Sequence, residues 1–101
     1  MKYQLVLQWS SAIRTFDEIL AAEDALTNDM GDLALVDGHD TGSGELNIFL
    51  LTDNPELTFE EAKRILTRKD LVAGLRAAFR ERTGQHYQII WPPGLTSFSV
   101  A

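Results

Sequence analysis

The chain has 101 residues, 45% of them hydrophobic and 24% charged, and a formal net charge of −6. That size and balance suit one globular domain, and the absence of cysteine excludes disulfides, thiolate metal sites and a cysteine nucleophile. An acidic excess also argues against nucleic-acid binding, which draws on a basic surplus to neutralise phosphates.

The first apolar run, Tyr3 to Trp9, is interrupted by Gln4 and Gln8. It reads as a first strand rather than a signal peptide, which needs a longer apolar stretch and a small-residue cleavage site. No segment approaches the roughly 20 apolar residues of a membrane helix. The expectation is a single domain over residues 1–101, soluble, cytoplasmic and free of membrane.

A shift of 43 residues lays Tyr3–Trp9 over Leu46–Thr52, and Thr15-Phe16-Asp17-Glu18 over Thr58-Phe59-Glu60-Glu61. T-x-x-E is a capping box, in which the Thr hydroxyl and the Glu carboxylate each accept from the other residue's backbone amide. Each half is therefore expected to be a strand followed by a capped helix. The first helix is predicted over Thr15–Met30, ending at Gly31, with Phe16, Ile19, Leu20, Leu26 and Met30 on its apolar face. A strand is predicted at Asp32–Asp37, a Gly-rich turn at Gly38–Gly44 and a third strand at Glu45–Thr52. Residues 58–83 carry two apolar faces that do not align on one helix, so two helices are predicted, with a break at Arg68–Asp70 and Asp70 as a new cap. Gln85–Trp91 is predicted as the fourth strand, and Thr96, Phe98 and Val100 as a short C-terminal edge strand.

The order β-α-β-β-α-α-β predicts an α+β, ferredoxin-like sandwich: a four-stranded antiparallel sheet with helices on one face. Such a fold hosts many functions and assigns none.

Two places break the packing pattern, and such departures are where function is expected. Glu23 falls on the apolar side of the first helix, four residues after Ile19, as a candidate buried acid. The segment Asp37–Glu45 is longer than a tight turn needs and carries three glycines, a histidine and three carboxylates. It is read as a candidate ligand loop through His39, Asp40, Ser43 and Glu45, set against plain turn formation. With His86, these residues offer a mixed nitrogen and oxygen donor set. The H-x-x-x-H and H-E-x-x-H spacings are absent, so no metal or cofactor is assigned.

On the sheet face away from the helices, alternation places Gln4, Val6, Gln8, Asn47, Phe49, Leu51 and Ile90. Apolar groups mixed with amides suggest an interface, with Val6, Asn47, Phe49, Leu51 and Ile90 as its candidates. The last eight residues are the alternative cover for part of that face. Charge is uneven along the chain. Residues 1–57 hold eleven acidic and two basic residues, a net of −9, and residues 58–83 hold seven basic and four acidic ones, a net of +3.

The run D-G-H-D-T-G-S-G-E-L-N-I-F (Asp37–Phe49) and the later W-P-P-G (Trp91–Gly94) resemble a small bacterial protein family with no assigned activity. The resemblance implies a cytosolic bacterial origin and transfers no function. The leading expectation is a binding or regulatory module acting through protein–protein contact, as a homodimer or on a partner in the manner of an immunity protein. The alternative is a small-molecule or metal-binding enzyme built on the 37–45 hairpin loop.

Overall fold

Leu5, Leu7 and Trp9 alternate with Gln4, Val6 and Gln8, and in the computed structural model, which describes residues 1–101, this stretch is the centre of a five-stranded sheet. The elements in chain order are β1 (Tyr3–Ser10), α1 (Phe16–Asp29), β2 (Ala34–Gly42), β3 (Glu45–Thr52), α2 (Pro55–Arg68), β4 (Arg76–Glu81) and β5 (Gln88–Trp91), with one 3-10 turn at Gly31–Leu33. All pairings are antiparallel, in the spatial order β2-β3-β1-β4-β5.

Cross-strand register sorts the side chains. Leu5 pairs with Leu50 and Phe79, and Leu7 with Ile48 and Ala77. These residues face the helices and join Ile19, Ala22 and Leu26 of α1 and Phe59, Ala62, Ile65 and Leu66 of α2 in one core cluster. Three polar groups inside it are satisfied. Trp9 Nε1 donates to the Leu71 carbonyl at 3.0 Å, and the Thr52 and Thr58 hydroxyls bond each other at 2.7 Å.

The capping box at Thr15 is formed in full. Glu18 N donates to Thr15 Oγ1 at 3.2 Å, and Thr15 N donates to Glu18 Oε1 at 2.9 Å. The similar run at Thr58 has a different role. Helix α2 starts one turn earlier, with Asn54 Oδ1 accepting from Leu57 N at 3.2 Å and Pro55 opening the helix. Thr58 is then an interior, buried residue.

The break at Arg68–Asp70 is present, but Asp70 closes α2 instead of capping another helix. Asp70 has φ +57. Asp70 N donates to the Thr67 carbonyl at 3.1 Å and Leu71 N to the Leu66 carbonyl at 3.0 Å, a Schellman motif. No third helix follows. Gly74 (φ +82) turns the chain, and Arg76–Glu81 runs as β4 beside β1. The i, i+4 spacing of Leu71, Leu75 and Phe79 mimics a helix, and Ala77 and Ala78 are buried on opposite faces of the sheet, which hides the alternation. The sheet therefore has five strands, and the Gln88–Trp91 strand lies at its edge.

The segment after Trp91 adds no strand. It crosses the sheet face away from the helices. Gln8 Nε2 donates to the Ser99 carbonyl at 3.0 Å and Ala101 N to Glu45 Oε1 at 3.1 Å, and the Phe98 ring lies 5.2 Å from that of Tyr87. Beneath this strap Val6, Gln8, Asn47 and Ala78 are at most 2% exposed.

Candidate functional site

The hairpin that joins β2 to β3 is tighter and longer than a Gly-rich loop. Strand β2 continues through Gly38–Gly42, and the turn is only Ser43-Gly44, with φ +51 and +80. Positive φ at both central residues is the primed turn that matches strand twist. The 37–45 segment is thus largely ladder, bulged between Val36 and Gly38. The segment expected as a Gly-rich loop is therefore mostly paired strand, with only Ser43 and Gly44 at the turn.

The four loop candidates separate accordingly. Ser43 is a turn residue. Asp40 pairs with Asn47 on the strap side of the sheet, and Glu45 anchors the backbone of Ala101. His39 pairs with Ile48 on the helix side, where it meets Glu23. His39 Nδ1 lies 3.1 and 3.0 Å from the two Glu23 carboxylate oxygens. An ionised carboxylate can only accept, so Nδ1 carries the proton and donates. The two separate irregularities of the sequence therefore form one contact between α1 and β2. Glu23 is not a buried acid: its side chain is 22% exposed and that of His39 33%.

The Phe16 ring sits edge-on to the His39 imidazole, with centroids 5.5 Å apart. Phe16, Leu20 and Glu23 follow at i, i+4 and i+7, so they form one stripe along α1. Phe16 and Leu20 were expected in the core. They are 47% and 39% exposed, and Ile19, Ala22, Ala25 and Leu26 make the buried face instead. On the other side of β2, Leu35 is 55% exposed.

β2 is the outermost strand of the sheet, bonded only to β3. None of the turn, loop and cap bonds of the backbone reaches residues 34–42, so its outer row of amides and carbonyls is open. From Thr15 to Thr52, across α1, β2 and β3, the chain has nine acidic residues and no Lys or Arg. The basic residues Lys63, Arg64, Arg68 and Lys69 lie in or just after α2, and Arg76 and Arg80 on β4. The molecule is therefore electrically polarised across its sheet, negative at the β2 edge.

The remaining candidates are placed differently from expectation. Val6 and Asn47 are buried under the strap, Phe49 and Leu51 are half-buried, and Ile90 packs against the core cluster. The register shift between Ala77 and Ala78 upsets simple alternation in β5. His86 lies in a shallow polar cleft with Tyr3, Arg80 and Gln85, at the opposite edge from His39. The donor set His39, Asp40, Glu45 and His86 is not assembled, and no three metal-ligating side chains cluster. The two surface clefts both lie beside Glu81, on the far side of the sheet from His39. Sequence reasoning missed Phe16, Leu20 and Leu35 as surface groups. Strict helical phasing from Ile19, Ala22 and Leu26 is the signal that finds the first two.

No protein-family model, curated protein or solved structure matches this chain. No helix is long and apolar enough to cross a membrane.

Proposed function

We propose that the chain is a protein-binding module that docks a basic partner on its α1–β2 edge. The observation that carries this reading is an open edge strand flanked by exposed Phe16, Leu20 and Leu35 within a 38-residue span free of Lys and Arg. Edge strands left long and unpaired are interaction templates, and complementary charge speeds and selects encounter. We take the scaffold as ferredoxin-like: β2-β3-β1-β4 is the split β-α-β order, extended by β5. The module is of the kind in which an acidic domain neutralises a basic protein. A homodimer through the open sheet face is the weaker version, because the strap already occupies that face.

The test is the native mass of this chain in extracts of cells that produce it. The wild type is expected in a complex well above its 11.3 kDa. Leu35→Lys with Asp40→Lys is expected to release the free chain, and Leu57→Lys on α2 to leave the complex intact. A wild type that runs at its own mass contradicts the reading.

A further inference from the structure

The open edge of β2 has a definite shape. Its floor is the outer row of β2 amides and carbonyls. Its wall is the α1 stripe of Phe16 and Leu20, joined to the strand by the Glu23–His39 hydrogen bond. The opposite side is lower and carries Leu35 and Asp40, both exposed. Protein groups match a backbone row along its whole length best as another extended backbone. A helix or a globular surface would leave those groups wet.

Building on the proposed docking of a basic partner, we infer that the partner contributes an extended segment that adds to β2 as a sixth strand. Backbone bonds supply affinity in strand addition, and alternating side chains supply specificity. Here one face of the added strand meets Phe16, Leu20 and the His39 ring, which suits apolar side chains. The other face passes Leu35 and Asp40, with Asp37 alongside at the bulge, which suits lysine or arginine. The occupant is therefore an extended segment alternating basic and apolar residues. A second copy of β2 does not fit this description, because its own Asp37 and Asp40 bring like charge to the edge. The bulge at Asp37 and these carboxylates are the devices by which edges resist self-pairing. They leave the edge available to a basic strand.

The experiment titrates the isotopically labelled full chain with an acetylated, amidated nonapeptide alternating lysine with valine, and with the same peptide methylated at its four central backbone amides. Amide shifts and hydrogen exchange are read along the whole chain. Strand addition predicts saturable shifts confined to β2 and to Phe16 and Leu20, with protection gained by outward β2 amides. It also predicts about 30-fold weaker binding of the methylated peptide, since two of the four methylated amides face β2 and each lost backbone bond removes roughly 1 kcal/mol. Equal binding of both peptides at this edge overturns strand addition and leaves charge-driven docking standing. Shifts elsewhere, or none from either peptide, overturn both. Leu20→Arg, an exposed position on the wall, is expected to abolish the shifts without altering the fold.

Discussion

Glu23 on α1 holds His39 on β2 through Nδ1, at 3.0 Å, across a sequence separation of 16 residues. This bond fixes the flank of the helix against the edge strand. Both partners are part-exposed, so its contribution to stability is small, about 0–1 kcal/mol for a pair of this kind. Glu23→Ala is therefore expected to move the unfolding midpoint little. Its effect should appear locally, as faster amide exchange in β2 and altered ring shifts of Phe16 and His39. A large loss of global stability with unchanged β2 exchange would contradict a positioning role.

The N-terminus of α1 sets where Phe16 stands, and the capping box holds it. Thr15→Ala is expected to cost about 1 kcal/mol, read by chemical denaturation. Donation from the Thr15 backbone amide, then the Arg14 side chain, holds the Glu18 carboxyl below its ordinary value of 4.5. A lowered folded-state value means that this stabilisation is complete above the ordinary carboxylate range and is lost as pH falls through the lowered value. The stability gap between wild type and Glu18→Gln should accordingly be constant near neutrality and close in acid. A gap that widens in acid would have the sign wrong.

The strap makes few bonds to the sheet it covers: one through Gln8, one through Glu45, and the Phe98–Tyr87 ring contact. Ending the chain at Pro93 would uncover Val6, Ala78, Gln8 and Asn47. A newly bared face that mixes apolar groups with unpaired amides in this way favours association. By light scattering, the shortened chain is expected to self-associate, and Phe49→Arg within it to restore the monomer. A shortened chain that stays monomeric and equally stable would show that the strap covers nothing of consequence.

The first half of this molecule was legible because its signals are local. The capping box at Thr15 and the alternation of β1 and β3 each rest on a few neighbouring residues. The second half misled where tertiary context decides. Ala77 and Ala78 are small and buried on both faces, so β4 has no visible alternation, and Leu71, Leu75 and Phe79 keep helical spacing by coincidence. Gly74 was the one local mark of the turn. The site was half legible. Glu23 and the His39 segment each stood out as irregular, but their meeting depends on the phase of β2 after the bulge at Asp37, which no spacing in the sequence discloses. Burial of Val6 and Asn47 depends on a C-terminal segment that pairs with nothing, so strand patterns could not predict it.

The most direct test of docking at the α1–β2 edge places a photo-crosslinking side chain at Leu20, with one at Leu57 on α2 as control, in cells that produce the protein. Both positions are exposed, at 39% and 53%, so both can react. The account predicts one discrete adduct from position 20, with a basic protein, weakened by Asp40→Lys and absent from position 57. The same adducts from both positions, or an acidic protein captured at position 20, would contradict it.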